Sequence, residues 1–214
     1  MAYTKMDYSR EILVERYPIL QQISSSLDAA RDLTVRVARS GGTFLVAGNG
    51  GSSADSEHIV GELMKSFIRK RPIIGEVAKQ LADQAGAEGA HLAAQLEGAI
   101  PAICLSSHQS LSTAFMNDVD PALVYAQQVY GYGRSGDLFW GISTSGNAKN
   151  VRYAALVAKA KGMFVLGMTG EDGGALFDLC DVCIRVPQRE TFMVQELHLP
   201  VYHWLCMELE ASFW

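Results

Sequence analysis

The stretch TFLVAGNGGSSADSEHIVGEL, residues 43–63, joins an apolar run, a glycine-rich turn and a helical segment. The run TFLVAG (43–48) has the length and apolar character of a buried strand, and it ends in glycine. The turn combines glycines, which let the main chain approach a ligand closely, with two serines able to cap a helix. We therefore predict a strand, a tight turn and a helix over about 53–67, whose N-terminus attracts anions.

The rest of the chain repeats this alternation of apolar runs and helical segments. Four further strands are predicted, at 102–106, 137–143, 163–169 and 181–187. The other predicted helical segments are 7–39, 76–98 (a helix or a mobile insert), 110–118, 147–162 and 191–211. Such alternation is typical of an α/β fold in which a largely parallel sheet has helices on both faces. No break in composition divides the 214 residues, so a single domain over 1–214 is expected.

Composition limits the classes of partner. With 18 basic and 23 acidic residues, the net charge of −5 argues against nucleic-acid and anionic-membrane binding. No apolar run approaches the roughly 18 residues of a membrane span. The N-terminus lacks a signal-peptide pattern, so a cytoplasmic protein with reduced thiols is expected. Cys180 and Cys183 form a C-x-x-C without a second pair, which favours buried, unreactive thiols over a structural zinc site.

Ligand sites in parallel α/β folds lie beyond the carboxyl ends of the strands, here at 48–53, 106–118, 143–148 and 169–174. The segment GISTSGNAKN (141–150) offers three consecutive hydroxyls, from Ser143 to Ser145, a glycine, and Asn147 as a candidate helix cap. Hydroxyls and amides at a helix N-terminus suit a phosphate monoester. Each loop taken alone is equally explained as an ordinary turn or cap.

His58 and Glu62 are four residues apart, so they share one helix face at a separation of about 6 Å. Such a pair is a surface salt bridge, half of a metal site, or an acid–base pair. Its position below the glycine turn favours a functional reading.

The last helix carries QELHLPVYH, with Gln195, His198, Pro200 and His203. Gln195 and His203 are separated by about 12 Å along a straight helix and by about 80° around it, so one such helix does not bring both to one ion. Pro200 is expected to kink the helix, and a neighbouring chain is another source of a ligand. The alternative is that His198 and His203 are core or interface histidines.

Five motifs carry a resemblance to a known family: GNGGSSADSEHIVGEL, ND at 117–118, GISTSGN, TGEDGG and QELHLPVYH. In this order, from about residue 10 to the end, they resemble sugar isomerase (SIS) domain proteins, and most of all the phosphoheptose isomerase branch, which acts on sedoheptulose 7-phosphate. The resemblance implies a three-layer sandwich with a five-stranded parallel sheet. It also implies a homotetramer with active sites between subunits, and aldose–ketose isomerisation to D-glycero-D-manno-heptose 7-phosphate in heptose or lipopolysaccharide biosynthesis.

The resemblance also implies roles for individual residues. One Zn²⁺ per subunit is implied, and the family's zinc ligands match His58, Glu62, Gln195 and His203. The catalytic base matches Glu62, and the catalytic acid matches His203. The residues implied to contact the sugar and its phosphate are Asn49, Gly50, Gly51, Ser52, Glu62, Asn117, Asp118, Ser143, Thr144, Ser145 and Gln195. Asn117 and Asp118 are, from the residues alone, equally explained as a helix cap.

Four features depart from the family pattern. About 27 residues are inserted between Glu62 and Asp118, around 76–98, and are expected to shape the substrate entrance or an oligomer interface. Ala148 replaces a phosphate-binding serine. Ser66 replaces an arginine, for which Lys65 or Arg69 is expected to compensate. Pro200 is expected to interrupt the last helix.

Two functions are compatible with these motifs. In the first, Glu62 moves a proton between C1 and C2 of a phosphosugar through an enediol, which needs donors or positive charge near its oxygens. In the second, the chain is a non-catalytic SIS module that binds a phosphosugar or a protein. The presence of His58, Glu62, Gln195 and His203 together favours the enzyme, because a binding module needs no proton-transfer pair.

Overall fold

Five parallel strands form one sheet at the centre of the fold. The computed structural model describes residues 9–214. The strands are β1 (Phe44–Ala47), β2 (Ala102–Cys104), β3 (Leu138–Ile142), β4 (Phe164–Thr169) and β5 (Val182–Arg185). Their order is β2-β1-β3-β4-β5, and every neighbouring pair is parallel. The predicted α/β fold, with a five-stranded parallel sheet flanked by helices, is confirmed.

Helices cover both faces of the sheet. They are α1 (Arg10–Arg16), α2 (Ser24–Arg39), α3 (Gly51–Met64), α4 (Glu76–Gln95), α5 (Gln109–Asp118), α6 (Val124–Tyr132), α7 (Lys149–Ala160) and α8 (Thr191–Ala211). Side chains of β1 alternate between the two layers, as a pleated strand requires. Phe44 and Val46 pack with α2, α3 and α8, whereas Leu45 and Ala47 pack with α6 and α7. Both cores are apolar, so the sheet is buried on both faces.

The strand order places a crevice between β1 and β3. From β1 the chain crosses through α3 to β2 on one side, and from β3 it crosses through α7 to β4 on the other. Because the connections diverge there, the loops after β1 and β3 leave a gap at the carboxyl ends of the strands. The glycine turn at 48–51 and the hydroxyl loop at 143–148 are these two loops.

The N-terminal and central helices differ from their predicted bounds. The segment predicted as helix over 7–39 is α1, a 3-10 turn (Pro18–Ile23) and α2, and residues 7 and 8 lie outside the described residues. Pro18 starts the 3-10 turn because it lacks the N–H that would continue α1. Helix α6 was not predicted, since its nine residues include glycine and three tyrosines, which do not favour a helix.

Three local predictions about caps and breaks are wrong. Ser52 and Ser53 lie inside α3, whose N-cap is Gly50, and Asn147 precedes the N-cap of α7, which is Ala148; neither helix has a side-chain cap. Pro200 does not interrupt α8, which runs unbroken from Thr191 to Ala211.

The thiols of the C-x-x-C motif are less buried than the sequence predicts. Cys180 and Cys183 are half-buried rather than buried. The hydrogen bond that the Cys180 thiol donates to Cys183, reinforced by burial, raises the pKa of Cys180. None of the helices within residues 9–214 combines the length and apolar character needed to cross a membrane.

The insertion at 76–98 contains α4, which reverses direction at Gly86. This glycine has φ 55°, outside helical values. A Cβ on Gly89 would lie 1.7 Å from the carbonyl oxygen of Leu81, so the two halves of α4 pack backbone against backbone. The stem is closed by an antiparallel bridge between Pro72 and Glu97. The segment is therefore a helical hairpin on a paired base.

A buried ion pair joins the end of α8 to the chain leaving α3. Arg71 and Glu210 are both fully buried, and Arg71 Nε lies 2.8 Å from Glu210 Oε1. The Arg71 guanidinium also donates to the carbonyl oxygens of Glu62 and Leu63, each at 2.9 Å. Glu210 accepts from three successive backbone N–H groups, those of residues 67–69. Every charged atom of the pair has a partner, which such burial requires.

Candidate active site

His58 and Glu62 are in contact on the face of α3 that packs against α8. His58 Nε2 lies 3.3 Å from Glu62 Oε1, and Lys65 Nζ lies 3.0 Å from Glu62 Oε2. The Glu62 side chain is only 11% exposed, whereas that of His58 is 42% exposed. The pair is thus more than a surface salt bridge, because one partner is a nearly buried carboxylate at the edge of solvent.

His203 reaches the same place from α8. Its ring centroid lies 4.9 Å from that of His58 and 5.5 Å from that of Phe67. The Nε2 atom of His203 is buried and has no hydrogen-bond partner among residues 9–214. Burial lowers the pKa of His203, and the nearby His58 lowers it further, so the ring favours its neutral form. Glu62 and His203, which are 141 positions apart in sequence, therefore meet in space.

Tyr202 and Asp55 complete this cluster, and neither was predicted. Tyr202 OH lies 3.0 Å from His58 Nδ1 and donates to Asp55 Oδ1 at 3.3 Å. Burial raises the pKa of both Asp55 and Tyr202. The available signal was the spacing of Asp55, three residues before His58 and so on the same face of the helix.

His198 belongs to the core, as the alternative reading of the last helix allowed. It is fully buried, and its Nε2 donates to the carbonyl oxygen of Thr169 at 3.3 Å. Burial lowers its pKa to about 4. The two histidines of α8 therefore differ, since only His203 faces the cluster on α3.

Gln195 contacts the glycine turn. A Cβ on Gly51 would lie 2.4 Å from Gln195 Nε2, so only glycine leaves room for this amide. On the other side of the turn, the amides of Asn49 and Asn150 exchange two hydrogen bonds of 2.9 Å. Tyr125 OH donates to the Gly48 carbonyl oxygen at 2.7 Å. The turn after β1 is thus fixed by residues from α6, α7 and α8.

The hydroxyl loop after β3 is held by a close contact between two glycines, Gly146 and Gly173. A Cβ on Gly146 would lie 1.9 Å from the Gly173 carbonyl oxygen, and Asn147 Oδ1 accepts from the Ala175 N–H at 3.1 Å. Ser143 is buried, whereas Thr144 is half-buried and Ser145 is exposed. Because Asn49 bonds to Asn150, this loop and the glycine turn lie side by side at the crevice.

Three predicted features lie apart from this cluster. Asn117 and Asp118 are exposed at the end of α5 and bond to each other at 2.9 Å; within residues 9–214 neither bonds to another predicted site residue. Ser66 turns toward Glu97 rather than toward Glu62. Its place beside the carboxylate is taken by Lys65, one of the two residues expected to compensate.

The donor types near Glu62 suit zinc, although they are not assembled as a finished site. Two imidazoles and a carboxylate are ordinary zinc ligands, and the unpartnered Nε2 of His203 is an available donor. Within residues 9–214, no three His, Cys, Asp or Glu side chains are arranged to hold a metal ion. Gln195 contacts Gly51, seven residues and so about 10 Å along α3 from His58. The donor types therefore fit, although residues 9–214 do not gather them around one point.

Comparison with known proteins places the chain in a class and then in a family. Residues 81–170 match the model of the SIS domain. Phosphoheptose isomerase of Aneurinibacillus thermoaerophilus is 35% identical over 178 residues, which is 83% of this chain and 77% of that protein. Phosphoheptose isomerase 2 of Campylobacter jejuni is 34% identical over 212 residues, covering 99% and 92% respectively. The chain belongs to the phosphoheptose isomerase family of SIS-domain proteins.

A solved structure agrees with this assignment. Phosphoheptose isomerase GmhA from Neisseria gonorrhoeae superposes with a TM-score of 0.71 at 30% identity, covering 92% of this chain and 90% of that one. The resemblance inferred from the five motifs is confirmed, together with the fold that it implied.

Proposed function

We propose that this protein is a phosphosugar isomerase that interconverts sedoheptulose 7-phosphate and D-glycero-D-manno-heptose 7-phosphate. The observation that carries the proposal is the meeting of Glu62 and His203, from two helices distant in sequence, around His58 on the helix that begins at the glycine turn. Proton transfer between adjacent carbons needs a base and a hydrogen-bond donor, and a nearly buried carboxylate opposite a neutral imidazole supplies both.

In the proposed reaction, Glu62 takes the proton from the carbon next to the carbonyl and returns it to the neighbouring carbon. The enediolate intermediate carries negative charge on its oxygens, so a hydrogen-bond donor must lie beside them and pass a proton from O1 to O2. His203 is suited to that role, because a neutral imidazole can polarise a carbonyl oxygen without being a strong acid. Lys65, 3.0 Å from Glu62, keeps a positive charge at the edge of the same pocket.

The phosphate is assigned to the crevice between the loops after β1 and β3. Helices α3 and α7 both begin there, and the N-terminus of a helix attracts an anion. Ser143, Thr144 and Ser145 supply hydroxyls, and Ser52 lies in the first turn of α3. Binding energy from the phosphate would hold the reacting carbons against Glu62. Asn117 and Asp118 remain predicted sugar contacts.

A zinc ion is part of the proposal, held by His58, Glu62 and His203, with Gln195 as the fourth donor in the assembled protein. When bound, zinc would supply positive charge near the developing enediolate. The unpartnered Nε2 of His203 supports this assignment. Metal analysis of protein purified without a histidine tag is expected to find about one ion per chain. A fully active protein without metal would contradict it.

We also propose a homotetramer that works in the cytoplasm. Large apolar side chains, among them Ile74 (83% exposed), Val77 (62%) and Phe192 (57%), face outward in the single chain and suit burial against neighbouring copies. The four cysteines, all free, suit a reducing compartment. Light scattering at micromolar concentration is expected to give four times the chain mass, and a monomer would contradict the proposal.

The deciding experiment is exchange of the C1 proton of ketose phosphates with solvent deuterium. A panel of ketose phosphates of five, six and seven carbons is incubated with the protein in deuterated water and followed by NMR. The seven-carbon substrate is expected to exchange fastest and to give the aldose. Binding of the ketose phosphate without exchange would overturn the catalytic function and leave a phosphosugar-binding module.

A further inference from the structure

The hydrogen-bond chain Asp55–Tyr202–His58 determines which nitrogen of His58 carries its proton. Tyr202 has one hydroxyl proton and two neighbours, Asp55 Oδ1 at 3.3 Å and His58 Nδ1 at 3.0 Å. An ionised carboxylate only accepts hydrogen bonds, and a bond to a charged acceptor is stronger than one to a neutral ring nitrogen. The phenol therefore donates to Asp55, and its oxygen accepts from Nδ1–H of His58.

A proton on Nδ1 leaves Nε2 of the neutral ring with a lone pair. That atom lies 3.3 Å from Glu62 Oε1, so two electron-pair donors face each other. Lys65 bonds to the other oxygen of Glu62, so the repulsion between Oε1 and Nε2 is relieved by a cation that binds between them, either a proton or a metal ion. Without the pull of Tyr202, the neutral ring would place its proton on Nε2, donate it to Glu62, and lose the lone pair there.

We infer that Tyr202 and Asp55 are positioning residues that hold the proton of His58 on Nδ1, so that Nε2 is presented with Glu62 as a pair of ligands for a divalent cation. The inference rests on the proposed function, because it explains how His58 is prepared for the role given to it there. Neither residue touches the substrate or the reacting carbons in this scheme.

The burial of Tyr202 and Asp55 supports this role for the hydrogen-bond chain. Tyr202 is 1% exposed, so water does not compete for its hydroxyl. The other oxygen of Asp55, Oδ2, is buried and has no hydrogen-bond partner among residues 9–214, so Tyr202 is the side-chain partner that this carboxylate has there. Outer hydrogen bonds of this kind set the tautomer of metal-binding histidines, and their loss typically weakens metal binding by about 10- to 100-fold.

The test compares the wild type with Tyr202→Phe, which removes only the hydroxyl, and with Asp55→Ala, which frees that hydroxyl to donate to His58. Tyr153→Phe is the matched control, since this tyrosine lies in α7 outside the cluster. Long-range proton–nitrogen NMR of ¹⁵N-histidine protein reads the His58 tautomer without metal in mildly alkaline buffer. Competition with a chromophoric chelator gives the zinc affinity.

The wild type and Tyr153→Phe are expected to carry the His58 proton on Nδ1, and both other variants on Nε2. Zinc affinity is expected to fall about 10- to 100-fold in those two variants, with an unchanged urea midpoint for Tyr202→Phe. An unchanged tautomer in both variants would overturn the inference, even in a protein that isomerises heptose phosphate. A wild type that isomerises no sugar phosphate would overturn the proposed function and leave the tautomer result to stand separately.

Discussion

Helices α3 and α8 run side by side in the same direction, and they carry two polar clusters of opposite character. At one end, Arg71 and Glu210 are fully buried and every charged atom has a partner. In the middle, Asp55 Oδ2 and His203 Nε2 are buried without partners. The first cluster is complete in the chain alone. The second is incomplete among residues 9–214, and its unpaired atoms lie in the cluster proposed to bind ligand.

Because the two clusters differ in this way, we expect the complete cluster to contribute to stability and the incomplete cluster to contribute to activity. A complete buried ion pair resists removal of either partner, because the remaining charge is left without compensation. In an incomplete cluster, the folded protein already contains buried polar atoms that lack partners. Changing such a cluster therefore has less effect on the free energy of unfolding and more effect on ligand binding. Variants in the two clusters are therefore expected to give opposite phenotypes.

The largest effect is expected from Glu62→Gln in the incomplete cluster. The amide keeps the shape of the side chain but cannot take a proton from carbon, so turnover should fall by about 10²- to 10⁴-fold. The urea midpoint and binding of the ketose phosphate should change little. The measurement is deuterium exchange at C1 beside equilibrium unfolding. An exchange rate equal to that of the wild type would remove Glu62 as the base.

The next effect is expected from Arg71→Met in the complete cluster. It leaves the Glu210 carboxylate buried without its main counter-charge, so the free energy of unfolding should fall by about 3–5 kcal/mol. The control is Arg31→Met, which breaks a partly exposed pair with Asp32 and should cost less than about 1 kcal/mol. Equal losses in the two variants would contradict the contrast between the clusters. Glu210→Gln gives a milder second variant for the case that Arg71→Met does not fold.

A third prediction concerns His198, the buried histidine of α8. Its pKa is lowered by burial to about 4, against an ordinary value of about 6.5, so the unfolded chain binds the extra proton first as the pH falls. Stability from the neutral ring is complete above pH 6.5 and is lost toward pH 4, by at most about 3 kcal/mol. His198→Gln should flatten this part of the pH profile in urea titrations. An unchanged slope would show that other groups cause the acid sensitivity.

The smallest effect is expected from Gly51→Ala. The new Cβ would lie 2.4 Å from Gln195 Nε2, and because that side chain is flexible, the amide should move away while the fold persists. Stability should stay within about 1 kcal/mol of the wild type, whereas kcat/KM should fall about tenfold, near 1.4 kcal/mol. Gly131→Ala, with open space around it, is the control. Full activity of Gly51→Ala would show that the position of Gln195 is not needed.

The strand pattern predicted the fold well because each apolar run is short and ends at a clear turn. β1, β3 and β4 are buried on both faces, and such strands are read directly from continuous apolar sequence. The last helix was predicted with its observed bounds, 191–211, although Pro200 was wrongly expected to interrupt it. The hairpin turn at Gly86 was not foreseen, because a single glycine in a helical pattern is usually tolerated.

The candidate site was predictable where spacing along one helix decides it, as for His58 and Glu62. The meeting of Glu62 with His203 came from the family resemblance, since no local pattern places residues that far apart in sequence together. Tyr202 was not predicted, because a tyrosine that packs in the core and a tyrosine whose hydroxyl makes a hydrogen bond cannot be told apart in sequence. Its role depends on Asp55 lying opposite it in another helix, which only the packing of α3 against α8 establishes.

The closed base of the α4 hairpin makes this insertion a natural attachment point. The Gly98 N–H donates to the Arg71 carbonyl oxygen at 2.6 Å, so the chain enters and leaves the hairpin at adjacent positions. A foreign module whose own termini lie close together, such as a fluorescent reporter, can replace residues 76–95 with little cost in chain entropy, at the loss of Val77 and of the contact between copies proposed for it. Such a chimera would attach an optical reporter to the segment that immediately follows α3. The strands of the sheet would keep their sequence.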